Sequence, residues 1–230
     1  MEGSFWKDKW QKHELGFHLP FVHPILKRSL PLFDLPDRAR VFLPLCGKTL
    51  DMGYLLEQGY GVVGVELSEL AVRELFQERN LVPEISDWAG GQCWRHADLT
   101  VFQGDFFALT AQSLGPVDLI YDRAALVALP PPMRERYAEA LPGLTATAPQ
   151  LLISFEYDQA RMDGPPFSVP PAWIERAYGR AYHRQELSRK DVIAHQPRFQ
   201  QAGLGRFEEV AWRLVRSDRV TVDASSRYGA

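Results

Sequence analysis

The chain has 230 residues, 46% hydrophobic and 24% charged, enough for one sizeable core and ordinary for a globular α/β domain. A net charge of −3 supplies no global basic field, which excludes recruitment by nucleic acid or an anionic membrane through charge alone. Cys46 and Cys93 make no disulfide framework and suit a reducing compartment, and no run approaches the ~20 apolar residues of a membrane-spanning helix.

The charged opening, "MEGSFWKDKWQKHELGF", lacks the apolar core of a secretory signal, so a cytoplasmic protein is expected. Ser4 is read as the cap of a short helix with Trp6 and Trp10 on one face, Gly16 as its stop and Phe17 just beyond. A second helix is predicted from Pro24, weakening at Pro31. "ARVFLPL" reads as a buried strand, and residues 48–58 as a helix with Met52, Leu55 and Leu56 inward and Gly59 at its end. "YGVVGVEL" is the next strand. Ser68 then caps a helix whose Ala71, Val72, Leu75 and Phe76 form an inward stripe.

Two further strands are predicted at "DLTVFQGD" and "VDLIYDRAAL", then a helix at "RERYAEALPGLT" broken late by Pro142, and a fifth strand at "PQLLISFEYD". A rigid proline loop, "GPPFSVPP", leads into a helix over residues 172–178, and "GLGRFEEVAWRLVR" alternates as a long strand near a sheet edge. Residues 217–230 read as a flexible polar tail. Strands alternating with helices predict a doubly wound α/β sheet whose ligand sits at the carboxyl ends of the strands.

The strand ends narrow the ligand. A phosphate loop needs G-x-x-x-x-G-K-[ST], but the first glycine position before "CGKT" holds Phe42, and the G-x-G-x-x-G of a dinucleotide site is also missing. Yet Glu66 ends the second strand about 20 residues past the turn, where a carboxylate accepts from ribose hydroxyls. A ribose binder without a phosphate grip fits S-adenosylmethionine. Asp105 ends the third strand, placed for an adenine amino group, with Phe106 beside it. Taken singly, Glu66 is equally readable as part of a helix start and Asp105 as a turn residue. Asp122 and Arg123 at the fourth strand end are either a structural ion pair, with Arg123 in solvent, or a clamp for an anionic substrate. Trp6, Trp10 and Phe17 are either a clasp holding the first helix or a lid over a cationic cofactor. Cys46 is read as packing the turn rather than as a nucleophile. The six histidines show no metal-ligand spacing, and no G-x-S-x-G elbow marks a serine hydrolase.

With "RVFLPLCGKTLDM", "VVGVELSE", "YDRAALVALPP" and "GPPFSVP" in order, the chain resembles the thiopurine S-methyltransferase family in its bacterial form, from about Trp6 to Arg216. The resemblance implies a class I S-adenosylmethionine-dependent (Rossmann-like) fold: a seven-stranded, mostly parallel sheet with helices on both faces and the last strand antiparallel. It implies one domain over residues 1–216, in which residues 1–35 form a helical lid. It implies S-adenosylmethionine as methyl donor and a thiopurine or similar thiol as acceptor, and bacterial members are associated with selenium and tellurium compounds. Carried over by residue, Trp10, Leu45, Glu66, Asp105 and Arg123 hold the cofactor. Trp6, Phe17, Pro166 and Phe167 border the acceptor, and Arg123 lies near both ligands. Residues 84–97 carry no family signature. A monomer without metal, membrane or nucleic-acid partner is expected. In-line transfer to a thiolate gains from alignment and a dry site more than from a general base. A non-catalytic adenosylmethionine-binding module and, less well matched, a nicotinamide-dependent oxidoreductase stand as alternatives.

Overall fold

The structure, a computed structural model, describes residues 3–217. Its helices are α1 (Gly3–Gln11), α2 (Pro24–Ser29), α3 (Asp51–Glu57), α4 (Glu69–Glu78), α5 (Ala111–Leu114), α6 (Pro131–Leu144), α7 (Pro171–Tyr178) and α8 (Pro197–Gln201). Its strands are β1 (Arg40–Pro44), β2 (Gly61–Glu66), β3 (Glu84–Trp88), β4 (Gly91–His96), β5 (Leu99–Gly104), β6 (Leu119–Arg123), β7 (Gln150–Glu156), β8 (Tyr182–Asp191) and β9 (Glu208–Arg216). They form one sheet in the order β3-β4-β5-β2-β1-β6-β7-β9-β8. The five central strands, β5 to β7, run parallel, and both margins join antiparallel.

Among the described residues the sheet therefore has nine strands, not the seven that the resemblance implies. The excess is the hairpin β3–β4, inside the stretch without a family signature. β3 exposes almost every side chain, so it has no apolar run to read and is held by pairing with β4. Beyond the buried Tyr182, β8 is mostly polar, and its register shifts between Glu186 and Ser188. β9 sits one strand in from the margin, as its alternation predicts.

The central strands are buried on both faces because helices cover both. On one face Phe42, Val63, Val65, Ile120 and Leu152 pack with Tyr137 and Leu141 of α6 and Trp173 of α7. On the other, Val41, Val62, Leu119 and Tyr121 pack with Met52 and Leu55 of α3 and Val72 and Leu75 of α4. The stripe of α4 is the predicted one, and Ser68 caps it by accepting from the Ala71 amide at 3.3 Å. Each such side chain stabilises the fold by about 1.5–3 kcal/mol when fully buried.

Several helix ends differ from expectation. Ser4 lies inside α1, not at its cap, and α1 ends before Gly16. His13 stops it instead: its φ of 51° lets Glu14 N–H reach the Lys9 carbonyl (3.0 Å) and its own N–H the Trp10 carbonyl (3.1 Å), a Schellman closure. The helix predicted over 48–58 begins three residues later, at Asp51. α6 starts earlier than predicted, with prolines in its first turn, and continues past Pro142 to Leu144. The tail expected as flexible lies, beyond Ser217, outside the described residues.

Candidate active site

The parallel strands β1, β2, β5 and β6 end on the same edge of the sheet, and a cavity of ≈ 270 Å³ opens there. Leu45, Glu66, Asp105 and Arg123 reach it from the strand ends, and Trp6, Trp10 and Phe17 from the N-terminal segment. Pro166 and Phe167 are not among its lining residues. Their loop is fixed elsewhere, Tyr157 Oη donating to the Pro166 carbonyl at 2.6 Å and Phe167 N–H to the Val127 carbonyl at 2.7 Å.

The single glycine of "CGKT" serves the aromatic wall. Gly47 has φ 53°, and a Cβ there would stand 3.1 Å from the Trp10 ring and 4.0 Å from that of Phe17. Its N–H donates to Glu66 Oε2 at 2.8 Å, while Glu66 Oε1 accepts from the Ser68 N–H at 2.8 Å. Glu66 therefore seats the start of α4, as one reading of it holds, and it also faces the cavity. Burial pushes its carboxyl above the usual carboxylate range, and the Ser68 and Gly47 amides oppose that shift. The lysine of the same motif is engaged, Lys48 Nζ lying 2.8 Å from Glu74 and 2.5 Å from Glu78 on α4. A phosphate would have to displace those carboxylates.

Neighbouring residues of β6 alternate in direction, which separates Asp122 from Arg123. Asp122 is buried, accepting from the Leu126 N–H (3.0 Å), Tyr137 Oη (2.7 Å) and Gln150 Nε2 (3.3 Å), and burial pushes its carboxyl up to about 6. Arg123 turns the other way, and its Nη1 donates to the Phe17 carbonyl at 2.6 Å. The ion-pair reading is thus replaced: Asp122 caps a turn, and Arg123 ties the N-terminal segment to the sheet. Asp105 is exposed at the cavity and accepts from the Phe107 N–H at 2.9 Å.

The aromatic wall is made of edge contacts. Phe17 meets Trp6 at 5.6 Å and Trp10 at 5.7 Å between centroids, with interplanar angles of 80° and 71°. Near Asp105, the Arg136 guanidinium lies 4.4 Å from the Phe107 ring centroid. Cys46 is buried, and burial together with Glu66 pushes its thiol well up, which suits packing and not nucleophilic attack.

Sequence reasoning missed His18, Asp51 and Tyr121, which also line the cavity. Asp51 accepts from the His23 N–H at 2.7 Å and from Tyr121 Oη at 3.0 Å, and His23 Nε2 lies 3.2 Å from Glu209 on β9. Tyr121 is hidden within an apolar run, and Asp51 within a predicted helix. The adjacency of His18 to Phe17 was the one available signal. Among the described residues, no three His, Cys, Asp or Glu side chains cluster as a metal site requires, and no helix is long and apolar enough to cross a membrane.

The family model for thiopurine S-methyltransferase matches residues 1–217. A thiopurine S-methyltransferase of Pseudomonas fluorescens is 42% identical over 93% of this chain and 99% of its own length. One of Xanthobacter autotrophicus is 50% identical over 79% of this chain and 86% of its own. Among solved structures, a TehB-like SAM-dependent methyltransferase of Corynebacterium glutamicum superposes with a TM-score of 0.55 at 15% identity, over 94% of this chain and 98% of that one. An N1-methyltransferase of Burkholderia thailandensis with bound S-adenosylhomocysteine gives 0.56 at 18% identity, over 93% and 87%. At such identities these two show the fold alone.

Proposed function

The chain belongs to the thiopurine S-methyltransferase family and uses S-adenosylmethionine, and on that premise we propose that it methylates the sulfur of a thiopurine or a similar small aromatic thiol. The observation that carries this reading is a cavity with a seated carboxylate and an aromatic wall, whose motif lysine is already bound to two glutamates. Such a lining suits an adenosine with a cationic sulfur and does not suit a pyrophosphate.

The residues present fit that cofactor. Glu66 keeps acceptor capacity on a carboxylate fixed by two amides, the condition for receiving ribose hydroxyls. Asp105 and Leu45 line the same cavity and are assigned to the adenine and the methionine moieties, and Trp10 closes over Gly47. Aromatic faces attract a cation by up to about 2 kcal/mol once water is excluded. When bound, the sulfonium supplies an electrophilic methyl and a neutral leaving group.

The chain's own residues then have three tasks. Trp6, Trp10 and Phe17, within a lid formed by residues 1–35, exclude water. Arg123 steadies an electron-rich acceptor, its guanidinium already fixed by the Phe17 carbonyl. The border of the acceptor site is assigned to Trp6, Phe17 and Arg123, because Pro166 and Phe167 lie off the cavity wall. We read residues 1–216 as one methyltransferase domain, working as a monomer without a nucleic-acid partner. Its two buried, unpaired cysteines agree with a reducing, cytoplasmic setting.

The test is release of S-adenosylhomocysteine from purified protein given S-adenosylmethionine and 6-mercaptopurine. Thiol-dependent release is expected. Cofactor binding without release would move the acceptor to selenite or tellurite, or leave a binding module. No cofactor binding by folded protein would overturn the roles given to Glu66 and the turn before it.

A further inference from the structure

We propose that His18 is the proton acceptor of the transfer, taking the proton of an un-ionised acceptor thiol as its sulfur attacks. This rests on the S-methyltransferase reading above and adds a catalytic residue to it.

The placement of His18 follows from a contact already described. Arg123 Nη1 holds the Phe17 carbonyl at 2.6 Å, so the next residue hangs one peptide unit from the guanidinium assigned to the acceptor, and it lines the same cavity. Four charged groups face it: Lys48 from the turn after β1, Glu74 and Glu78 from α4, and Arg123 from β6. Lys48 is bound to both glutamates, which leaves none of the three as a base for the acceptor.

Of the other titratable groups of the wall, Asp105 is exposed, accepts from the Phe107 N–H and is assigned to the adenine. Both oxygens of Glu66 accept from backbone amides, and both oxygens of Asp51 are taken, by the His23 N–H and Tyr121 Oη. Burial pushes the Tyr121 hydroxyl and the Cys46 thiol well up, so neither ionises to serve as a base. The imidazole of His18 has no hydrogen-bond partner among the described residues. Burial first, then Lys48, lowers its pKa from the ordinary histidine value, which keeps it unprotonated, with a free ring nitrogen to accept a proton, at pH 7.

The step balances. The acceptor sulfur forms its bond to the methyl carbon as the methyl–sulfonium bond breaks, and the electron pair of that bond stays on the donor sulfur. The thiol proton passes to the imidazole and from there to water at the cavity mouth. One sulfonium is consumed and one imidazolium forms, so charge is conserved. An acceptor that arrives as a thiolate skips the proton transfer and has no need of His18.

That difference gives the test. Wild type, His18→Gln and His18→Asn are assayed for kcat/KM at pH 7 with two aromatic-ring thiols: a benzyl thiol, un-ionised at that pH, and a nitro-substituted thiophenol, already ionised. Loss of general-base catalysis is expected to lower kcat/KM for the un-ionised thiol by about 10²-fold or more, with a far smaller loss for the ionised one. With the benzyl thiol, the wild-type profile is expected to level off above an acid limb lying below the ordinary histidine pKa. The variants' profiles keep rising towards the pKa of the thiol itself. Calorimetric binding of S-adenosylhomocysteine establishes that each variant is folded at the site. Equal losses for both thiols, or none for either, would overturn the assignment. If the wild type binds cofactor but methylates no thiol, the S-methyltransferase reading fails first and this inference falls with it.

Discussion

On the sheet side of the cavity, carboxylates are seated by backbone amides: Glu66 by Gly47 and Ser68, and Asp105 by Phe107. The N-terminal side has rings meeting edge to face, tied to the sheet and to α3 by a few long-range bonds: Arg123 to Phe17, Asp51 to His23, and His23 to Glu209. The first wall is set by the same hydrogen bonds that start helices and turns, so its geometry comes with the fold. The second depends on contacts between residues from 28 to 186 positions apart and is the wall suited to opening. Pre-organised polar groups on one side and a removable apolar cover on the other is what a water-excluding transfer needs.

The largest expected effect tests whether the cover is also core. Trp10 is only 2% exposed, and Trp10→Ala is expected to cost about 3–5 kcal/mol in denaturant unfolding. A cost well below 1 kcal/mol would make it a dispensable flap. Next comes the burial of charge behind the sheet wall. With its pKa raised to about 6 in the folded protein, Asp122 favours folding most when protonated, below its unfolded pKa. Its contribution is lost, by about 3 kcal/mol, as pH rises through about 6. Thermal unfolding across pH 4–7 is expected to show that fall in wild type and not in Asp122→Asn. Parallel profiles would refute it.

The third comparison crosses the walls. Hydrogen bonds to charged groups contribute about 1.5–3 kcal/mol, roughly 10- to 10²-fold. Glu66→Ala is expected to lose that much in S-adenosylhomocysteine affinity by calorimetry, and Arg123→Ala that much in thiol turnover with cofactor affinity nearly kept. Equal losses in both quantities for either variant would erase the division of labour. The smallest effect probes a single tie: Tyr121→Phe removes one hydroxyl from Asp51 and is expected to cost about 1 kcal/mol in stability.

Legibility in the sequence followed burial. The central strands and the stripe of α4 were readable because solvent exclusion on both faces leaves continuous apolar runs and a 3.6-residue period. β3, β4 and β8 were not, since a marginal strand is held by pairing and needs no apolar signature of its own. At the site, Trp6, Trp10, Phe17, Leu45, Glu66, Asp105 and Arg123 converge on one cavity from widely spaced positions. Glu66 was legible by its spacing from the turn, yet its bond to Gly47 was not, because a side chain's partner across the fold leaves no trace in local order. The same holds for His18, whose neighbours Lys48 and Arg123 come from two other elements.

The margins of the sheet have a consequence for how copies of this chain meet. β8 carries Arg184, Glu186, Arg189 and Lys190 and bulges between Glu186 and Ser188, while β3 presents Glu84 and Asp87 around the half-exposed Ile85. A second strand approaching either rim would have to bury unpaired charge or follow a kinked ladder. Such rims disfavour strand-to-strand growth between copies, even though the five central strands are largely apolar and buried.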